Sequence, residues 1–221
     1  MALASPLESW SAHWLTAHMA QHMLLMLVAA PLLVISRPWI VGLVLLPVTL
    51  RKWALRARRW RWIGLFLSPL VAWVAHALAL WVWHAPRFYE AALRSEPLHL
   101  LEHAMFFFTA GVFWQSLFPM YRSNRAQTGL VILLLFTFSL QSGLLGALIT
   151  FTPTPWYTWY LTDHSAGALQ DQQLAGLIMW IPGGFVYLAA ALAVLAPLMR
   201  DEDSNAKDGG WSPAVGKIST G

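Results

Sequence analysis

The sequence predicts an all-α, polytopic membrane helix bundle, and three observations carry that prediction. Of 221 residues, 58% are hydrophobic. Only 11% are charged, against about 25% in an ordinary soluble domain. The apolar residues also gather into stretches of roughly 20, the length a helix needs to cross a bilayer. Together with a mean hydropathy of +0.55, this excludes a disordered chain, a nucleic-acid-binding domain and a typical soluble enzyme. There is no Cys, which removes disulfides, zinc fingers, iron–sulfur clusters and thiolate chemistry.

Five stretches are long enough to span, at residues 14–35, 62–83, 98–118, 129–151 and 172–198. A sixth apolar stretch, 39–50, is short and is interrupted by Pro47, so it is expected to be interfacial or re-entrant. The segment RKWALRARRWR, residues 51–61, holds six basic residues and no acid. By the positive-inside rule it is cytoplasmic, as are Arg122, Arg125 and Arg200. Loops 85–97 and 152–171 then lie outside, with the N-terminus periplasmic and the C-terminus cytoplasmic. The first ten residues lack a basic region and contain Glu8, so no signal peptide is expected. The domain organisation is a transmembrane bundle over residues 1–200 and a polar, disordered cytoplasmic tail over 201–221.

The eight His residues are the most informative feature. His13, His18 and His22 belong to the outer end of the first span, His84 to that of the second, and His99 and His103 to that of the third; His164 falls in the last outer loop. Only His76 is deeper, two turns below His84. His18 and His22 stand four apart, about 40° around a helix axis, and His99 and His103 repeat that spacing. Two facing pairs of this kind can close a four-ligand shell. His13 falls on the opposite side of the helix and Glu102 flanks the second pair, while Met19, Met23 and Met26 adjoin the first. A lone intramembrane His or Met is ordinarily packing material. Two His pairs at one depth are harder to explain so, because polar groups are costly there.

Imidazole suits Zn, Cu, Fe and Ni, and thioether adds a preference for Cu(I), so copper is the expected ion. A di-iron centre needs more carboxylates than Glu102 and Asp171 supply. Haem, clamped by two His from facing helices, remains open. Gln172, Gly176, Met179 and Gly183 form one stripe of the last span, and Gln141, Ser142, Gly143 and Gly146 another on the fourth. Both are expected to be helix contacts, apart from Gln172. Trp81, Trp83, Trp156 and Trp159 suit an outer aromatic belt.

Four strings now stand in order: HMAQHMLLM from His18 to Met26, followed by AAPLL; WHAP at 83–86 with YEAA at 89–92; HLLEH at 99–103; and DQQLAGLIMWIPG at 171–183. Over residues 17–199 they resemble the multi-span CtaG family of cytochrome c oxidase assembly factors. They do not resemble the single-span, Cys-bearing copper chaperone that shares its name. The resemblance implies a bacterial inner-membrane protein that acts with cytochrome c oxidase subunits in maturing haem–copper oxidases, by handling copper. Longer members carry further spans before the first string, so a short form is expected. Residues and resemblance together give a non-catalytic assembly factor with His18, His22, His99 and His103 as primary copper ligands. His76 and His84 would be additional or transfer ligands, and Met19 and Met23 soft auxiliaries. Glu102 and Asp171 would orient imidazoles by accepting their N–H groups. The competing functions are a copper transporter, a haem-binding redox protein and a scaffold whose His residues only hydrogen-bond.

Overall fold

A computed structural model describes residues 10–37, 46–57, 64, 68–118, 125–161 and 167–208. All regular structure among them is helical. We number the helices α1 (Leu15–Ser36), α2 (Val48–Ala57), α3 (Pro69–His84), α4 (Pro86–Arg94), α5 (Glu96–Leu117), α6 (Arg125–Phe151) and α7 (Ala168–Asp208). A short 3-10 turn, Thr158–Leu161, lies between α6 and α7.

Helices α1, α6 and α7 are long and apolar enough to cross a bilayer. Helix α5 has the length, 22 residues, but carries Glu96, His99, Glu102 and His103 in its first turns. Helix α3 is apolar and has 16 residues. The stretch before it, which completes the expected span 62–83, lies largely outside the described residues. The 39–50 segment is likewise undescribed up to residue 45, and its end enters α2. Helix α7 continues through the polar residues 201–208, past the expected bundle boundary at 200; residues 209–221 and His164 lie outside the described residues.

The five longer helices close into a ring. Helix α1 packs on α5, α5 on α3, α3 on α6, α6 on α7, and α7 back on α1. Phe106, Phe113, Phe138, Leu80 and Tyr187 fill its interior. The polarity is inverted relative to a water-soluble protein. Phe108 is 71% exposed and Phe185 67%, whereas His22 and Glu102 are each 0% exposed. Apolar surface of this extent, with charged and imidazole groups buried inside, fits lipid as solvent.

Prolines set the ends of α3 and the start of α5. Ser68 caps α3 by accepting from the N–H of Val71, with Pro69 in the first helical position. Ala85 is extended ahead of Pro86, and Ser95 is extended one residue before α5, which carries Pro97 in its first turn. A residue preceding Pro avoids helical geometry, so α3 must stop at Ala85. Helix α4 therefore lies across the end of the ring where α3 stops and α5 begins. It returns the chain so that the C-terminus of α3 and the N-terminus of α5 share one layer.

Pro31 shapes α1. It has no N–H, so the carbonyls one turn earlier cannot all keep ordinary helical partners. The helix widens to π geometry over Leu24–Ala29, and the N–H of Ala30 reaches back to the carbonyl of Leu25. That leaves the carbonyl of Met26 free, and the indole N–H of Trp114 on α5 donates to it at 3.2 Å. A local irregularity is thereby converted into an α1–α5 bond.

Candidate metal centre

Four residues of α1 and α5 meet in one layer of the ring, at the end where α3 stops and α5 begins: His18, His22, His99 and His103, with Glu102 between them. His18 Nε2 lies 2.8 Å from His22 Nε2. Ring centroids are 5.0 Å apart for His18–His99, 5.5 Å for His18–His103, 4.8 Å for His22–His103 and 4.3 Å for His99–His103. Both expected His pairs thus face one another. His84 joins from α3, 6.0 Å from His22.

Glu102 sits differently from the expectation. Its Oε2 is 3.8 Å from Nε2 of His18 and its Oε1 is 3.9 Å from Nε2 of His22. These are too long for hydrogen bonds that would orient either ring. The carboxylate instead points at the same ring nitrogens that face one another, as a ligand would. Two triads share His18: His18–His99–His103 and His18–His22–Glu102, with ligand atoms within 4.8 Å of one another. An ion with bonds of 2.0–2.1 Å needs its ligands within about 4.2 Å, so small side-chain rotations would close either triad.

The donor set fits a cation. Both oxygens of Glu102 and both nitrogens of His103 are buried without a hydrogen-bond partner among the described residues, and Nε2 of His18 and of His22 face that carboxylate. Buried polar atoms are nearly always partnered, so acceptors that face one another without a partner are suited to a cation.

The proton on His84 is fixed by its neighbours. Its Nδ1 lies 2.7 Å from the carbonyl of Leu80, which can only accept, so Nδ1 carries the hydrogen. Nε2 therefore presents a lone pair, and it stands 3.4 Å from the sulfur of Met19. A ring N–H given to a carbonyl is the usual support of a metal-ligating imidazole.

Asp171, expected to orient an imidazole, and His76 and Met23, expected as additional ligands, lie elsewhere, as does His13, expected off the site. Asp171 holds the start of α1: the N–H groups of Leu15 and Thr16 donate to its carboxylate at 2.7 and 3.2 Å, and the Thr16 hydroxyl donates to it as well. These N–H groups have no partner within their own helix, and negative charge at a helix N-terminus is favourable. Asp171 thus positions His18 one turn below by anchoring α1 to α7, rather than by bonding an imidazole. His13 lies in the turn before α1 and is exposed. His76 is roughly 12 Å below His84 along α3. It bonds Thr109 and stacks on Phe138, in a lower cavity that Met23 also lines.

A shell of aromatic side chains, whose role the sequence did not reveal, closes the site at the end of the ring that α4 crosses. Tyr89 of α4 lies 5.2 Å from His18 and 4.3 Å from Tyr157. The Tyr157 hydroxyl donates to the carbonyl of His84 at 2.9 Å. Phe106 packs 4.7 Å from His22. Burial pushes the phenols of Tyr89, Tyr157 and Tyr160 up from their ordinary range, so this cover stays uncharged. Glu90 pins it down, accepting from the Thr158 N–H at 2.7 Å and the Thr158 hydroxyl at 2.5 Å. Gln172 adds a tie, accepting from the Trp156 N–H at 2.6 Å. The Tyr89-Glu90 string was visible in the sequence, but its role depends on α4 folding over the bundle.

The glycine stripes are helix contacts, as expected. A Cβ on Gly176 would meet Thr150 Oγ1, and would meet the carbonyl oxygen of Gly146 at 2.7 Å. Trp81, expected in a belt, donates its indole N–H to Gln141 at 2.6 Å.

No curated protein and no solved structure matches this chain. The family model for the cytochrome c oxidase caa3 assembly factor does match, over residues 1–201. That span includes every residue of the His/Glu cluster and of its aromatic cover, and the chain belongs to the family of caa3 cytochrome c oxidase assembly factors (Caa3_CtaG).

Proposed function

We propose that this assembly factor serves its oxidase by holding and passing on copper at the outer His/Glu cluster. His18, His22, His99, His103 and Glu102 are the ligands in this account, and His84 with Met19 forms an adjoining pair that takes the ion as Cu(I). The observation that carries the copper assignment is the contact between the His84 Nε2 lone pair and the Met19 sulfur at 3.4 Å. Neither atom donates a proton to the other when His84 is neutral. With bonds of about 2.0 Å to nitrogen and 2.3 Å to sulfur, their separation subtends roughly 105° at a shared ion. A mixed imidazole–thioether pair favours Cu(I) over zinc, calcium or magnesium.

The close packing of the rings favours an ion over haem. The His18 and His22 centroids are 4.4 Å apart and those of His22 and His103 4.8 Å, with no slot between them for a macrocycle. The chain lies in the bacterial inner membrane in this account. The basic segment at 51–61 is cytoplasmic and the cluster is near the periplasmic face, where an oxidase subunit would meet it. Five spans cross, and the protein catalyses no reaction.

The test is elemental analysis and a visible spectrum of protein purified without chelator and loaded with copper. Stoichiometric copper without a Soret band is the expected result. Stoichiometric haem, or no retained metal, would overturn the assignment. A topology reporter placed after Arg59 should read cytoplasmic, and one placed in 152–161 periplasmic.

A further inference from the structure

A second group of soft ligands lies deeper in the ring. Met23 and Met26 of α1, Met179 of α7 and His76 of α3 line one small cavity of about 10 Å³, together with Ser142, Tyr187 and apolar groups such as Leu80 and Phe138. The Met23 sulfur is 3.9 Å from where a Cβ on Gly183 would stand, so the absence of a side chain at Gly183 keeps room beside it.

The hydrogen bonds fix how His76 faces this space. The Thr109 hydroxyl donates to the carbonyl of Met105 at 2.7 Å. Its oxygen is then the acceptor in the 2.9 Å contact with His76 Nδ1, so the ring hydrogen sits on Nδ1. Nε2 is left as a bare lone pair. His76 is 0% exposed, and Nε2 has no hydrogen-bond partner among the described residues. A histidine there merely to join two helices would need only its Nδ1. Leaving Nε2 unsatisfied in an apolar interior is costly unless something binds it.

We propose that His76, Met23, Met26 and Met179 form a second metal site, selective for a soft monovalent ion, Cu(I). One imidazole and three thioethers carry no charge and would poorly stabilise a divalent ion in a low-dielectric interior; a soft monovalent ion suits them. The cavity is about the size of a single water-sized sphere, which admits a bare ion and excludes a hydrated one. Met19, Met23 and Met26 follow one another at i, i+4 and i+7 along α1. The soft stripe therefore begins at the His84–Met19 pair and ends in the cavity, so the inner site can store Cu(I) or exchange it with the outer cluster. The identity of the ion rests on the copper account of that cluster; the existence of a second soft site does not.

The experiment uses full-length protein in detergent, with Cu(I) under anaerobic reductant and Ag(I) as a redox-inert probe. Stoichiometry is measured for the wild type, for Met23→Leu/Met26→Leu/Met179→Leu, for His76→Phe, and for His18→Ala/His103→Ala. Met-to-Leu changes conserve volume and are usually tolerated; a gel-filtration profile confirms folding. The triple variant and His76→Phe should each lose one equivalent of both ions and keep the outer one. Combined with Met19→Leu, which removes the outer thioether, His18→Ala/His103→Ala should keep one equivalent, with sulfur scatterers in its X-ray absorption spectrum. Unchanged stoichiometry in both inner variants would overturn the inner site and leave the outer account standing. Loss of all soft-ion binding in His18→Ala/His103→Ala would do the same. If the wild type binds a single equivalent that only the inner variants abolish, the outer account fails and the inner site stands.

Discussion

Nε2 of His18 and Nε2 of His22 are 2.8 Å apart, with the two oxygens of Glu102 3.8 and 3.9 Å from them. In the metal-free chain one imidazole donates to the other. On a shared ion with bonds of 2.0–2.1 Å, the same separation subtends about 85–90°, the angle between adjacent ligands of a tetragonal site; a tetrahedral pair would stand about 3.3 Å apart. In the proposed site one small shift would replace the shared proton by a metal between the same two nitrogens, and Glu102 would supply the negative charge that the imidazoles lack.

Glu102→Gln keeps the shape and removes that charge. It should weaken Cu(II) binding by at least 10–100-fold, the size typical of changes even outside the direct ligands. Its effect on Cu(I), which needs less countercharge, should be smaller. Competition titrations with the two ions measure both, and equal effects on them would contradict a ligand role for the carboxylate.

Met19→Leu should do the reverse. The thioether facing His84 Nε2 is replaced by a volume-matched apolar group. Cu(I) affinity should fall about 10-fold or more, with Cu(II) affinity unchanged. A loss confined to Cu(II) would remove the reason for pairing Met19 with His84.

The contact between α6 and α7 depends on Gly176, whose Cβ would strike the carbonyl oxygen of Gly146 and the backbone nitrogen of Thr150 at 2.7 and 2.8 Å. Neither backbone atom can rotate away. Gly176→Ala should destabilise the bundle by about 1–3 kcal/mol, read as a lowered midpoint of thermal unfolding in detergent. Wild-type stability in that variant would show that the two helices have slack.

Acid should loosen the outer cover. The Thr158 hydroxyl holds the Glu90 carboxyl below the usual carboxylate range, aided by the Thr158 N–H and by Arg94. Because the folded value is depressed, the stabilisation is complete above the ordinary carboxylate pKa. It is lost as pH falls through the lowered value. Hydrogen exchange at the Thr158 amide, corrected for its intrinsic pH dependence, should therefore become less protected over that interval. Glu90→Gln should show the weaker protection already at neutral pH. Equal protection in wild type and variant at neutral pH would show that other contacts hold the loop.

Much of this was legible in the sequence because helical periodicity is local. The spacing of His18 with His22 and of His99 with His103 decides which imidazoles share a face, and the outer depth of His84 follows from its place at the end of a span. What escaped depends on how helices meet. Asp171 became the anchor of α1 because α7 starts beside that helix's unsatisfied N–H groups, a juxtaposition that no spacing reveals. Glu102 has the same flanking position as the sequence suggested, but its approach to two rings at once follows from α1 and α5 packing face to face. His76 shares a face with His84, yet the intervening two turns place it in a different cavity. The aromatic cover needed α4 to fold across the ring between two Pro-directed turns.

Comparing single imidazole deletions tests the central claim most directly. Copper affinity, oxidase copper content in cells and membrane abundance are measured for His18→Ala, His22→Ala, His99→Ala and His103→Ala, with His13→Ala as the exposed control. Each of the four should bind copper at least 10-fold more weakly and lower oxidase copper while the protein remains at normal abundance; His13→Ala should match the wild type in all three. Unchanged copper in His18→Ala and His103→Ala, with a loss in His13→Ala, would contradict the outer His/Glu cluster as the copper site.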